Sequence, residues 1–164
     1  MAYATGTPPP GLPQKCTCSK ELSLEHVLSC NPSRTLARHN MLQARLVGFA
    51  REQGVATSQN VRQTIDEGRR VEPDIIFLFP GRPLETDVTV VNPCCPTNRF
   101  FTLSKPLHAI HVAERTKKRK YEDQARARGH DFVPLAFGTH GGMADDVGNL
   151  LRKLAMGHRD RHGA

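Results

Sequence analysis

Apolar residues recur along this chain with two different periods, and each change of period marks an element. From Ser33, a candidate N-cap behind Pro32, Leu36, Met41, Leu42, Leu46, Val47 and Phe49 recur at three- and four-residue spacing until Gly54. That is the stripe of one helix face, so a helix is predicted here, with the glycine as its stop. Residues 55–72 are polar and predict only a short strand around residues 60–63. Two β-rich runs follow, residues 75–79 and 88–91, on either side of Pro80-Gly81-Arg82-Pro83. Proline and glycine punctuate a turn, so this is a predicted hairpin. If the turn pairs Phe79 with Leu84, Asp87 stands opposite Ile76 and Asp74 is its diagonal neighbour on the same face.

Beyond Val91 the segment NPCCPTNRFFTLSKP reads as irregular, because its prolines exclude a long regular element. A second helix is predicted from Pro106 to Arg128, with Gly129 as its terminator. The run DFVPLAF, residues 131–137, is a strand whose Pro134 suits an edge position. A glycine turn, GTHGGM, leads into a last amphipathic helix over residues 145–156, carried by Val147, Leu150, Leu151 and Leu154. The Pro-rich residues 1–15 read as a disordered lead-in and residues 157–164 as a loose polar tail. The predicted architecture is α/β: a mixed sheet flanked by helices over residues 33–156, preceded by a small ligand-rich knuckle at residues 16–32.

Composition narrows the partners. A chain of 164 residues can bury one real core and carry a small module besides. It holds no apolar run long enough to span a bilayer and its start lacks the apolar stretch of a signal peptide, so a soluble intracellular protein is expected. A net charge of +7 favours a polyanion, nucleic acid first. Five cysteines make no even disulfide set, and three of them crowd around one histidine, which points to metal in a reducing compartment.

Three constellations carry chemistry. Cys16, Cys18, His26 and Cys30 offer the four nitrogen or sulfur ligands that structural zinc requires, and a helix would aim His26 and Cys30, four residues apart, at one point. Only one residue separates Cys16 from Cys18, tighter than the usual two, and His39 is a competitor for the fourth place. The second is the pair Asp74 and Asp87, hard oxygen ligands suited to Mg2+ or Mn2+. The third is the run ERTKKRKYE, residues 114–122, where Glu114, Lys117, Lys118 and Tyr121 share a helix face. A lysine there can stabilise charge on a scissile phosphate, while Lys118 and Arg119 suit phosphate contacts that position a duplex without reading it.

Taken together, Cys16, Cys18, His26 and Cys30, then Arg38-His39, Pro73-Asp74, Asp87 and Lys117-x-x-Lys120-Tyr121 resemble the C-terminal region of site-specific non-LTR (LINE-type) retrotransposons. In that family a CCHC zinc knuckle precedes a restriction-like endonuclease. The resemblance implies the PD-(D/E)xK nuclease fold and a metal-dependent nick in target DNA whose 3′ hydroxyl primes reverse transcription. It implies Asp74 and Asp87 as holders of the catalytic Mg2+ or Mn2+, structural Zn2+ in the knuckle, and Lys117, Lys120 and Tyr121 as the helix-borne catalytic set. Its partners would be target duplex DNA, element RNA and a reverse transcriptase domain of the parent polyprotein, in a nuclear setting and with no membrane. Arg38 and His39 would touch DNA or support the site, with a buried structural histidine as the alternative. Thr89 stands where the wider superfamily carries lysine, so the lysine would come from the following helix. Lys117 is the first choice and Lys120 the second, rotated from it by about 60 degrees. Two other functions compete: an inactive zinc-knuckle nucleic-acid-binding module, and a Holliday-junction-resolvase-like nuclease.

Overall fold

The computed structural model describes residues 11, 14–16, 18–21, 26, 28, 32–59, 63–64, 70–95 and 97–162. Helix α1 (Pro32–Glu52) leads, closed by Gly54 in the left-handed region at φ 69°, as its stop signal predicts. Five short strands follow: β1 (Ala56–Gln59), β2 (Gln63–Thr64), β3 (Arg70–Val71), β4 (Ile75–Leu78) and β5 (Leu84–Val91). Then come α2 (Arg99–Ser104), α3 (His108–Ala127), β6 (Asp131–Gly138) and α4 (Asp145–His162).

Four strands make a mixed sheet in the order β1-β4-β5-β6, and β2 pairs with β3 in a separate ladder. The first three strands are antiparallel, whereas β6 runs parallel to β5, with Leu84 opposite Asp131 and Val91 opposite Gly138. A parallel neighbour needs a crossover, and α3 supplies it, packed on β5 and β6. Helix α1 packs against β1, β4 and β5, and α4 against β6. The sheet flanked by helices is therefore as expected, and Pro134 does sit in an edge strand.

Alternation along β5 divides its roles. Leu84 and Val88 turn into the core with Ile75, Phe77 and Leu135, joined by Leu46, Val47 and Ala50 of α1, Ile110 of α3 and Val147, Leu150 and Leu154 of α4. Each such burial contributes about 1.5–3 kcal/mol for a large aliphatic side chain. Glu85 and Asp87 point to the other face, so one strand serves both core and site.

Five local expectations are corrected. The hairpin register is two residues wider than anticipated: Phe77, not Phe79, pairs with Leu84, which puts Glu85 opposite Ile76. Pro80 and Pro83 cannot donate to a ladder, and the loop opens around them. The irregular stretch after β5 contains α2, because residues 99–104 lie free of the prolines at 96 and 106. Helix α3 starts at His108 rather than Pro106, since Leu107 takes φ 70° and ψ 2° and breaks the turn. Helix α4 runs to His162, six residues past the predicted end, so residues 157–162 belong to it and not to a loose tail. In the polar stretch 55–72 the structure has β1, β2 and β3 where one short strand was expected, and most of residues 60–63 lie outside the described residues.

Candidate active site and metal-binding group

Asp74 ends the approach to β4, and its backbone N–H donates to the Thr86 carbonyl at 2.9 Å. Asp74 stands one residue before β4, whose first pair with β5 is Ile75 with Thr86, and its carboxyl is close enough to Asp87 to be raised by that charge. The Asp74 carboxylate accepts the Val88 N–H at 2.6 Å through Oδ2. Its Oδ1 lies 3.4 Å from His39 Nε2. His39 Nδ1 is 2.9 Å from the Val88 carbonyl, which can only accept, so Nδ1 carries hydrogen and Nε2 is turned to Asp74. Gln43, one turn further along α1, donates through Nε2 to the Asp74 carbonyl at 2.6 Å. Helix α1 thus fixes Asp74 at both its side chain and its backbone.

Burial holds the Asp74 carboxyl above its ordinary value. The Val88 N–H pulls the other way, Asp87 pushes it up further, and His39 and Lys117 lower it. The charged form is disfavoured chiefly because burial strips its water, with repulsion from Asp87 added.

Lys117, on the third helix, reaches both oxygens of Asp87, at 3.0 Å from Oδ1 and 2.9 Å from Oδ2. Thr89, where the common nuclease pattern has lysine, donates its hydroxyl to Asp87 Oδ2 at 3.0 Å. The Lys120 ammonium lies 4.7 Å from the centre of the Tyr121 ring, over which the Lys117 ammonium also sits at 5.6 Å. Tyr121 packs at 5.7 Å on Phe132 and lines a small pocket with Glu72, Pro73, Glu85 and Asp87. Lys118 and Arg119 are exposed on the same helix. Arg38 is engaged elsewhere: its Nη2 donates to the Leu28 carbonyl at 2.6 Å.

One group at the site escaped the sequence reading. Glu85, only 2 % exposed at its side chain, receives two hydrogen bonds from Arg128, one of them 2.9 Å from Nε, and a third contact from His130 Nδ1 at 2.6 Å. The signal was present in the alternation of β5: a carboxylate two residues before Asp87, in a strand buried on both faces, must find a cation.

Apart from this site, the ligand atoms of Cys16, Cys18 and His26 all lie within 4.8 Å of one another, with Cys18 Sγ 3.2 Å from His26 Nε2. Sulfur and imidazole donors at that spacing could hold a metal such as zinc. Cys30, the expected fourth ligand, lies outside the described residues. His39, the competing ligand, faces Asp74 instead.

No family model matches the chain. Over 158 residues it is 26 % identical to the retrotransposable element SLACS 132 kDa protein of Trypanosoma brucei gambiense, an alignment covering 90 % of this chain. The chain spans 13 % of the length of that protein. The likeness supports a retrotransposon origin.

Proposed function

We propose that this chain is a metal-dependent DNA endonuclease of the PD-(D/E)xK type, which nicks target DNA in a retrotransposable element to leave a 3′ hydroxyl for reverse transcription. The observation that carries the reading is a cluster of three side chains: Asp74, just before β4, feels the charge of Asp87 on β5, and Lys117 reaches both oxygens of Asp87. The likeness to a retrotransposable-element protein supplies the context.

Asp74 and Asp87 would hold Mg2+ or Mn2+. The fit is electrostatic: burial and the charge of Asp87 leave the Asp74 carboxyl reluctant to ionise, and a divalent ion relieves that repulsion. When bound, the ion supplies charge neutralisation and an activated water. The chain's own residues do the rest. Lys117, whose ammonium stands beside Asp87, would present that charge to the scissile phosphate and stabilise its developing negative charge. His39 and the Val88 N–H fix the orientation of Asp74. Tyr121 lines the small pocket beside Asp87. Lys120 is a contact to the substrate backbone or a support for Tyr121. In the knuckle, Cys30 would complete the zinc set begun by Cys16, Cys18 and His26.

The test is nicking of supercoiled plasmid with Mg2+ or Mn2+. The wild type should relax it, with products carrying 5′ phosphate and 3′ hydroxyl ends. Asp74→Asn, Asp87→Asn and Lys117→Ala should each lose about 100-fold or more in rate, the size of one lost electrostatic donor in a dry site. Nicking that persists in both aspartate variants refutes the proposal. Salt-dependent binding without any cleavage by the wild type would instead identify an inactive nucleic-acid-binding module.

A further inference from the structure

The charge of the chain is concentrated in one place. Residues 92–121 contain seven lysines and arginines and one acidic residue, so they carry +6 of the total +7. The remaining residues are almost balanced, with 16 basic against 15 acidic side chains. The same stretch holds the most exposed apolar cluster among the described residues. On α2, Phe100 is 68 %, Phe101 57 % and Leu103 85 % exposed. A short helix that turns its aromatic and aliphatic side chains outward, inside the only strongly basic stretch, is unlike a solvated surface helix.

Its setting is built rather than loose. Thr102 Oγ1 donates to the Pro93 carbonyl at 3.1 Å, and the Lys105 N–H closes α2 on the Phe101 carbonyl at 2.9 Å. Phe101 stacks on His108 at 5.0 Å between ring centres. Leu107, left-handed at φ 70°, turns the chain between the two helices, a conformation that a leucine adopts only under constraint. From Leu107 to Lys117 the rise along the third helix is about 15 Å. That is about four nucleotide steps along one strand.

We propose that α2 is a stacking element for unpaired bases: Phe100, Phe101 and Leu103 pack against bases of a locally opened strand, about four nucleotides from the phosphate that Lys117 faces. Charge complementarity selects the occupant. A protein partner fitted to this face would have to be acidic and apolar at once, whereas opened nucleic acid offers phosphates for Lys105, Arg115 and Lys118 and apolar base faces for the rings. The substrate class is therefore duplex DNA with a melted or distorted segment rather than a uniform helix. The distance to the cut rests on the nuclease reading; the stacking contact does not.

The experiment uses the full chain and two 30-base-pair probes of the same sequence, one fully paired and one with a central bubble of about four unpaired positions. Binding is measured by fluorescence anisotropy across a salt series without added divalent cation, so cleavage plays no part. The wild type should prefer the bubble probe by about tenfold. Phe100→Ala with Leu103→Ala should remove most of that preference, the size of one lost base stack, and leave the slope of affinity against salt unchanged. Arg115→Gln with Lys118→Gln should weaken both probes alike and reduce that slope by about two. Because all four side chains lie on the surface, melting temperatures of the variants should match the wild type. Equal binding of the bubble by the wild type and the Phe100/Leu103 variant overturns the proposal. So does a wild-type dimer, seen in sedimentation, that this variant converts to monomer. A wild type that binds the bubble and never nicks sinks the nuclease assignment and leaves this inference standing.

Discussion

Arg128→Met removes the guanidinium that faces Glu85 and keeps most of the side-chain volume. In the native chain Glu85 is 2 % exposed and has three charge-assisted contacts, two from Arg128 and one from His130. The variant leaves a buried carboxylate with His130 alone. Removing one partner of a buried ion pair costs about 3–5 kcal/mol, because the survivor keeps its desolvation penalty without its compensation. For a chain of 164 residues each kcal/mol moves the melting temperature by about 2–4 °C, so a fall of about 6–20 °C is expected. Urea denaturation followed by circular dichroism should show a lower midpoint with an unchanged slope. Glu85→Leu combined with Arg128→Met should recover most of the loss, since an apolar pair of similar volume can replace a buried ion pair at little cost. A single variant within about 1 kcal/mol of wild type, or a double variant as unstable as the single, would refute the claim that this cluster is a desolvated pair.

The other predictions concern the two metal-type groups and one tight packing contact. Because the Asp74 carboxyl is raised by burial, its folded state favours the proton: the stability it lends is full below the unfolded value of about 3.9 and is lost as pH climbs through the folded one. Asp74→Asn should therefore melt higher than wild type at neutral pH, with the gap closing toward pH 4; a gap that does not grow between pH 4 and 7 counts against it. Mg2+ or Mn2+ at about 100 times its dissociation constant should stabilise the wild type by about 2.7 kcal/mol and leave Asp74→Asn unmoved, as read by thermal melting. Elemental analysis should find one zinc per chain, and Cys18→Ser should lower that content; full occupancy in the serine variant would exclude Cys18 as a ligand. A Cβ at Gly142 would meet Leu107 Cδ2 at 2.9 Å and Ile110 Cδ1 at 3.1 Å, so Gly142→Ala should destabilise by about 1–3 kcal/mol in the same urea assay.

What could be read from the sequence was whatever depends on short-range pattern. The stripe from Leu36 to Phe49 gives α1, and Gly54 and Gly129 stop their helices with positive φ. The edge placement of β6 follows from Pro134 having no N–H. Register was less legible, because Pro80 and Pro83 widen the loop and no local signal says by how much. Helix α2 was hidden for the opposite reason: the prolines that exclude a long element bracket a six-residue one. The partners of Glu85 are 43 and 45 residues away, and no periodicity connects positions so distant. Between Lys117 and Lys120, spacing leaves a rotation of about 60 degrees undecided. It takes the docking of the third helix on β5 to bring the Lys117 ammonium to Asp87, while both ammonium groups lie over the Tyr121 ring.

Pro134 also bears on how the chain behaves in company. The sheet has two borders, the four-residue β1 and the eight-residue β6, and residues 142–144 already cover the end of β6, with Gly138 N–H on the Gly142 carbonyl and Ala144 N–H on the Ala136 carbonyl. A long border strand of apolar character is a template on which a second molecule can add its own strand. A residue without an N–H midway along β6 interrupts any such row of donors, and α3 and α4 pack over the same strand. The shorter border offers only ATSQ, with too few apolar side chains to hold a foreign strand. Pro134→Val would repair the donor row, and its cost would be seen as turbidity at high concentration rather than as a change in the fold.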